Sequence, residues 1–158
     1  MTDVHAPEQR SRNMAAIRGV DTKPEMKVRS LLHAMGYRFR LHRKNLPGKP
    51  DIILPKYRLA IFVHGCFWHC HDCRYGRVVP ATRADFWAQK RRSNAERDTR
   101  NKAALEEQGW IVATVWECET RHEHELRAML PTILDKAFYG VDVEQSRRLT
   151  GCCTTTAK

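Results

Sequence analysis

The fold of this chain is decided by the stretch HGCFWHCHDC, residues 64–73, which contains three cysteines, three histidines and an adjacent pair of aromatic residues. Thiolate and imidazole are the ligands that zinc prefers, and Cys66, His71 and Cys73 can hold one such ion. Three ligands leave a structural tetrahedron open. The nearest further cysteine outside the stretch is Cys118, so we expect it to be the fourth ligand.

Two apolar runs, residues 59–63 and residues 110–116, lead into the two parts of this predicted zinc site. If both runs are strands of one sheet, the fourth ligand arrives beside the loop that holds the other three. The residues between the ligands need a separate explanation. Phe67 and Trp68 are large apolar side chains in a loop too short to bury them, and His69 is left without a metal.

The chain of 158 residues has 28 Lys and Arg against 18 Asp and Glu, a formal net charge of +10. This length fits one compact domain. The positive excess favours a polyanionic partner, most simply nucleic acid, although a solvated basic surface is the plainer alternative. No apolar run reaches the roughly 18 residues of a membrane span, and residues 1–12 lack the apolar region of a signal peptide. We therefore expect a soluble cytoplasmic protein without a membrane partner, whose six cysteines are reduced or metal-bound.

Residues 22–25, TKPE, predict the start of a helix. Thr22 can cap the next amides while Glu25 reaches back to the cap, and a proline in the first turn costs little. Gly36 supplies the stop. The apolar residues between them repeat at helical spacing and are Val28, Leu31, Leu32 and Met35. From these residues alone, the capping box is the simpler role for Glu25.

Three strands are predicted next, at residues 37–41, 50–54 and 59–63. A buried and unpaired acid at the head of an apolar strand is costly, so Asp51 lies either at the solvated rim of the sheet or on a cation. A helix, a hairpin carrying Pro-Asp and a third strand make the core layout of the PD-(D/E)xK nucleases. The acid-x-lysine motif usual in those enzymes is absent, because residues 61–64 are IFVH. From the order of the helix and the strands, we predict an α/β fold with a mixed central sheet flanked by helices.

A long basic helix is predicted from Thr82, its cap, to about Gln108, with Gly109 as the stop. It is either a solvated helix or a helix laid along a phosphate backbone, and Trp87 at its start favours the second interpretation. The basic residues of its surface are Lys90, Arg91, Arg92, Arg97, Arg100 and Lys102.

The C-terminal third is predicted to contain an internal strand at residues 110–116 and a closing helix at residues 122–137, which its internal proline kinks or splits. The domain then spans residues 21–137. Polar residues 138–158 predict a disordered tail. Residues 1–20 form a basic N-terminal arm, which is either a frayed end or an arm that clasps DNA.

Five motifs in this order resemble those of the very-short-patch repair (Vsr) endonucleases: LPGKPD at 46–51, HGCFWH at 64–69, VPATR at 79–83, FW at 86–87 and NxERD at 94–98. The match runs from about residue 11 to residue 118, roughly two thirds of the chain. A single Pro-Asp pair would be a weak signal, but this series in this order is a specific one.

The resemblance implies a Mg²⁺-dependent, strand-specific endonuclease that nicks DNA on the 5′ side of the thymine in T·G mismatches. Such mismatches arise when 5-methylcytosine deaminates, and the nick initiates very-short-patch repair. The resemblance also implies a PD-(D/E)xK restriction-endonuclease-like core with a structural zinc site. The implied partner is double-stranded DNA with a T·G mismatch, with a functional link to a cytosine-5 DNA methyltransferase and a mismatch-repair protein as a further partner. We expect a monomer.

The catalytic residues follow from the same resemblance. Asp51 would hold Mg²⁺ together with the backbone carbonyl of Val63. His69 would be the general base for the attacking water, and His64 its partner on the phosphate side. Glu25 would support the site from the first helix.

The remaining site residues are assigned in the same way. The implied zinc ligands are Cys66, His71, Cys73 and Cys118, with Cys70 as a competing ligand. The residues implied to lie beside the mismatch in the major groove are Phe67, Trp68, Trp87, Lys90 and Asn94. Arg12 and Met14 would belong to an arm in the minor groove.

Physical chemistry agrees with a nuclease independently of the resemblance. Phosphodiester cleavage needs an activated water and compensation of negative charge, which Mg²⁺ on a carboxylate supplies. A histidine that titrates near neutrality can take the proton of the water in place of the missing lysine. Two other functions stay open. A zinc-stabilised DNA-binding module would need neither Asp51 nor His69, and a restriction-type endonuclease would cut fully paired duplex.

Overall fold

A four-stranded mixed sheet organises the protein, whose computed structural model describes residue 12 and residues 19–149, with side chains as far as residue 139. The strands are β1 (Arg40–Leu41), β2 (Ile52–Leu54), β3 (Leu59–His64) and β4 (Ile111–Trp116). The helices are α1 (Lys23–Ala34), α2 (Ala84–Glu107) and α3 (Glu123–Leu149), and a 3-10 turn at Pro55–Tyr57 joins β2 to β3. The order in the sheet follows the chain, with antiparallel pairing up to β3 and parallel pairing of β3 with β4. The predicted α/β fold with a mixed sheet is confirmed.

Helix α1 begins as the sequence predicted. Both halves of the capping box are present, since Thr22 accepts from the Glu25 amide and the Glu25 carboxylate accepts from the Thr22 amide. Gly36 ends the helix with a φ of 83°, a left-handed conformation that glycine adopts without strain. The helix buries an apolar face that includes Leu31 and Leu32.

The sheet is covered on both faces. One face packs against α1 and α3 in a core built from Leu32, Ile52, Leu54, Leu59, Ile61, Leu126 and Leu130. The other face packs against α2 through Leu46, Ile53, Ala60 and Leu105. Neighbouring residues of β2 and β3 therefore alternate between the two cores, as successive side chains of a strand must. Burying a leucine or isoleucine side chain contributes about 1.5–3 kcal/mol, so this double core fixes the sheet.

The parallel pairing of β3 and β4 positions the functional residues. His64 pairs with Trp116 at the last register position of the two strands. Parallel strands end at the same edge of a sheet, so the loop after β3 and the turn after β4 leave the sheet side by side. The stretch 64–73 and Cys118 are brought together in this way.

Three expected elements differ in detail from those in the structure. The strand expected at 37–41 is reduced to Arg40–Leu41, because only its end reaches the three-residue partner β2. Strand β4 is not internal: among the described residues it pairs only with β3 and lies at the edge of the sheet. The cap position of α2 is occupied by Arg83, not Thr82, and the Arg83 side chain makes no capping hydrogen bond.

The closing helix α3 neither splits at Pro131 nor ends at residue 137. Leu130 and Leu134, on either side of the proline, are buried in the core and hold the helix together across the missing amide. The expected boundary between domain and tail, at residues 137–138, falls inside this helix. Most of the predicted N-terminal arm, including Met14, and residues 150–158 of the predicted tail lie outside the described residues.

None of the described helices combines the length and the apolar character that crossing a membrane would require.

Candidate active site and metal cluster

The four cysteine and histidine residues predicted to bind zinc form one cluster. The ligand atoms of Cys66, His71, Cys73 and Cys118 all lie within 4.8 Å of one another. The amide of Cys118 donates to Sγ of Cys66 over 3.4 Å, and Sγ of Cys118 is 3.4 Å from Nδ1 of His71. Three thiols and one imidazole at this spacing are the donor set of a structural zinc site. Cys70, the competing candidate, is exposed and lies outside the cluster.

The thiols of the cluster differ in acidity. Burial raises the pKa of Cys66 to about 12 and also raises the pKa of Cys118. Burial acts in the same direction on Cys73, but the backbone amides of Gly76 and Tyr75 donate to its sulfur and help to lower its pKa to about 6. One thiolate is therefore favoured near neutral pH. Binding a cation would release the remaining thiol protons, because thiolate is the ligating form.

Gly76 closes the loop under the cluster. A Cβ atom at this position would overlap the carbonyl oxygen of His71 and lie 2.9 Å from that of Cys66. The ring of Trp116 stacks on the imidazole of His71 at a centroid distance of 4.2 Å. The cluster is thus held by close backbone packing as well as by its ligands.

A second group lies beside the cluster and consists of His64, His69 and Asp98. Nδ1 of His69 is 2.5 Å from Oδ2 of Asp98, and the His64 ring stacks on the His69 ring at 3.8 Å. Burial and the neighbouring His69 lower the pKa of His64 to about 4, against the opposing effect of Asp98. His64 is therefore neutral at pH 7, and His69 is the histidine that the carboxylate orients.

Asp98 was not among the site residues predicted from the sequence. It is the last residue of the NxERD motif and follows Asn94 by four positions, so the two lie on the same face of α2. Asn94 also contacts the loop after β3, because its side chain donates to the backbone carbonyl of Trp68. This helical spacing was the available signal for Asp98.

Asp51 is held at the head of β2 by the neighbouring strand. The backbone amide of Val63 donates to Oδ2 of Asp51 over 2.7 Å, so the carboxylate is neither free in solvent nor unpaired. Burial raises the pKa of Asp51 to about 6, with a further contribution from the charge of Glu25 and against the hydrogen bond from Val63. The positive charges of His42 and Arg29 also act to lower this pKa, but they do not offset the effect of burial. Carboxylate oxygens are the ligands of hard divalent cations, so this site fits one.

The carboxylate of Glu25 is buried and fully engaged. One oxygen accepts from Thr22, and the other accepts from the Asp21 amide and from Nη2 of Arg29 at 2.8 Å. The same Arg29 nitrogen lies 2.9 Å from Nε2 of His42. Glu25 therefore performs the capping role and also adds negative potential near Asp51.

One groove of about 1000 Å³ contains the candidate catalytic residues. Its lining includes Glu25, Asp51, Val63, His64, His69 and Asp98, together with Trp68 and Asn94. The catalytic residues expected from the sequence therefore share one surface with the newly found Asp98.

The three aromatic residues expected beside the mismatch contact one another. Phe67, Trp68 and Trp87 form a triangle of edge-to-face contacts with centroid distances of 5.2, 5.7 and 5.7 Å. All three are partly exposed and none belongs to either core cluster. Phe86 packs on Trp87 at 5.2 Å and is itself 46% exposed. We refer to Phe67, Trp68 and Trp87 as the aromatic wedge.

Asn94 does not face outward, in contrast to the expectation that it contacts base edges. It is 6% exposed, its Nδ2 donates to the carbonyl of Trp68 over 3.0 Å, and its Oδ1 accepts from Arg97 over 2.9 Å. The Asn94 amide thus holds the backbone of the wedge at Trp68, and Arg97 fixes the orientation of that amide. Lys90 and Arg12 are exposed, as their expected contacts with DNA require.

Comparisons with known proteins agree with these features. Residues 2–75 match the family described as DNA mismatch endonuclease Vsr. The type II nicking enzyme V.XorIIP of Xanthomonas oryzae is 54% identical over 135 residues, which cover 85% of this chain and 98% of that protein. The DNA mismatch endonuclease Vsr of Escherichia coli is 48% identical over 126 residues, 80% of each chain. The type II nicking enzyme V.NmeAIP of Neisseria meningitidis is 43% identical over 130 residues, which cover 82% of this chain and 92% of that protein.

Proposed function

Because this chain belongs to the Vsr family of DNA mismatch endonucleases, and is therefore a nuclease acting on DNA, we propose that it nicks one strand at T·G mismatches. The nick is on the 5′ side of the mismatched thymine, depends on Mg²⁺ and initiates very-short-patch repair of deaminated 5-methylcytosine. The core that carries this activity is of the PD-(D/E)xK type, with histidine chemistry in place of the usual lysine.

One observation carries the proposal: the groove that contains Asp51 also contains the paired His69 and Asp98. A carboxylate suited to a divalent cation and an oriented histidine are the two components that phosphodiester hydrolysis requires. A DNA-binding module would have no use for either component.

His69, paired with Asp98, supplies the general base. With Asp98 accepting the hydrogen of Nδ1, the tautomer of His69 leaves Nε2 free to take a proton from water. The carboxylate then stabilises the charged imidazole that forms. His64 stays neutral, because burial and His69 hold its pKa near 4, and its stacked ring limits the rotation of His69.

Asp51 and the carbonyl of Val63 would hold Mg²⁺. The bound ion supplies an acidified water and compensates the negative charge that grows on the phosphate. The chain orients the carboxylate for this role, since the Val63 amide fixes one oxygen of Asp51. Glu25 supports this site through its negative charge near Asp51 and not by direct contact with the ion, because both of its oxygens already accept hydrogen bonds.

Cys66, His71, Cys73 and Cys118 would hold Zn²⁺ as a structural ion. The segment between Cys66 and His71 contains Phe67, Trp68 and His69. Fixing the two ends of so short a segment fixes part of the wedge and the base together. This arrangement links recognition of the mismatch to placement of the base at the phosphate.

The wedge selects the substrate by the cost of opening DNA. Unstacking a base step costs about a few kcal/mol, and the cost is least at a mismatched step. Phe67, Trp68 and Trp87 would enter the major groove there, with Lys90 beside them. The N-terminal arm, with Arg12 and Met14, would contact the minor groove. The activity implies a functional link to a cytosine-5 DNA methyltransferase and a mismatch-repair protein as a partner, and the protein acts as a monomer.

The test uses end-labelled duplexes that contain a T·G mismatch in a panel of flanking sequences, with paired T·A and C·G duplexes as controls. We expect a single nick 5′ of the thymine, in the thymine strand alone, and only with Mg²⁺. Binding without a nick would favour a DNA-binding module. Cleavage of the paired controls at an equal rate would favour a restriction-type endonuclease.

A further inference from the structure

Arg91 makes contacts that differ from those of the other basic residues of α2. Its Nη2 atom donates to the carbonyl of Gly76, and its Nη1 atom donates to the carbonyl of Val78 over 3.3 Å. The guanidinium carbon also lies 5.0 Å from the centre of the Phe67 ring. Arg91 is half-buried, whereas the adjacent Arg92 is exposed.

These contacts join the parts of the wedge to each other. Arg91 lies one helical turn after Trp87 and therefore on the same face of α2. Gly76 belongs to the segment that packs against the backbone of Cys66 and His71, and Phe67 lies between those two residues. One guanidinium carried by α2 thus contacts both the loop under the cluster and the wedge itself.

A guanidinium engaged in this way is poorly available to a phosphate. Its donors form a fixed fork and can satisfy two carbonyls at once, while its flat face stacks on an aromatic ring. A lysine ammonium keeps the charge but cannot reproduce the fork. The contacts of Arg91 therefore depend on geometry more than on charge.

We infer that Arg91 is a positioning residue for mismatch discrimination, which sets the placement of Phe67 relative to Trp87 and thereby the preference for T·G over paired DNA. The inference rests on the proposed function. A wedge that is already in place loses little entropy when it enters the mismatch, whereas a loosened wedge must be ordered first. Loosening should therefore weaken binding to the mismatch, while binding to paired duplex, which does not use the wedge, changes little.

The experiment compares Arg91→Lys and Arg91→Met with Arg92→Met, a control that removes the same charge from the exposed neighbour. Dissociation constants for T·G and T·A duplexes are measured at two salt concentrations. We expect both Arg91 variants to reduce the T·G preference by about tenfold, and Arg92→Met to leave the preference unchanged. Hydrogen exchange of the amides at residues 76–79 in the free protein should be faster in Arg91→Lys than in the wild type.

Three outcomes would overturn the inference. If Arg91→Lys keeps the wild-type preference while Arg91→Met weakens both duplexes alike with a smaller salt slope, Arg91 is a phosphate contact. If both variants keep the preference, the wedge is placed without Arg91. If Arg91→Lys unfolds globally at the assay temperature, Arg91 supports the whole domain. A wild-type protein with no T·G preference would instead contradict the proposed function, and hydrogen exchange would still report whether Arg91 holds the loop.

Discussion

Nδ1 of His69 lies 2.5 Å from Oδ2 of Asp98, 29 positions further along the chain, on a different element. The pair connects the loop after β3 to α2. It resembles in its chemistry the general base and orienting carboxylate of other hydrolases.

Asp98→Asn should lower the nicking rate on the order of 100-fold, the lower end of what a general base contributes. The amide keeps the shape of the side chain but no longer stabilises the charged imidazole. Single-turnover nicking of a T·G duplex measures the effect, and binding to the same duplex should be unchanged. Glu96→Gln, at an exposed position of the same helix, is the matched control. Wild-type nicking by Asp98→Asn would remove this carboxylate from the mechanism.

Asp51→Asn should abolish nicking, leave mismatch binding largely intact and stabilise the fold at pH 7 without added Mg²⁺. Burial raises the folded pKa of Asp51 to about 6, whereas an unfolded Asp has a pKa of about 3.9. The folded state binds the proton more tightly, so stability falls as pH rises from about 4 to about 6. The cost above that window is on the order of 2–3 kcal/mol, and the amide does not incur it.

Urea unfolding at pH 7 and at about pH 3.5 tests the stability part of this prediction. The variant should be the more stable protein at the higher pH, and the difference should vanish at the lower one. Asp135→Asn changes an exposed carboxylate in the same way and should stay near the wild-type value. A variant less stable than the wild type at pH 7 would show that Asp51 has a compensating partner in the fold.

Cys118→Ala should release one equivalent of zinc and lower the melting temperature, because the metal contributes its binding free energy to folding. Cys70→Ala should do neither, since Cys70 is exposed and lies outside the cluster. Metal content by atomic spectroscopy and a thermal scan of both variants test the pair. Zinc retained by Cys118→Ala and lost by Cys70→Ala would exchange the roles of the two thiols.

Trp68→Ala should weaken binding to a T·G duplex by about tenfold or more and hardly affect a T·A duplex. Base–aromatic stacking contributes about 1–3 kcal/mol per base, and only the mismatch opens cheaply enough to use it. Arg100→Ala, an exposed residue of α2, should weaken both duplexes equally and lower the salt slope by about 0.9 for one lost phosphate contact. Equal losses for the two duplexes on Trp68→Ala would mean that this residue only packs within the protein.

Local signals in the sequence were sufficient for much of the fold. The capping box at Thr22 and Glu25 and the apolar runs of β2 and β3 depend on near neighbours, so the sequence predicts them directly. The approach of Cys118 to the loop was predicted on the condition that the two apolar runs share one sheet, and the parallel pairing of β3 and β4 meets that condition. The sequence could not predict how far α3 continues past residue 137, since polar residues extend a helix as readily as they end one.

The site was less predictable where it depends on the rotation of α2. A thin apolar stripe left the phase of that helix undetermined, so Asn94 and Arg91 were expected to face DNA along with Lys90. In the structure the first two turn toward the loop after β3. Asp98 was missed because its side chain also depends on the rotation of α2. In addition, its partner His69 lies in a loop whose position only tertiary packing decides.

Gly76 has a practical consequence for engineering. A methyl group there would collide with the backbone of His71, so any larger residue must displace the loop that carries the wedge. The exposed Val78 and Val79 that follow it meet no such limit. A library of variants in this segment should therefore vary those two exposed codons and keep the glycine codon fixed.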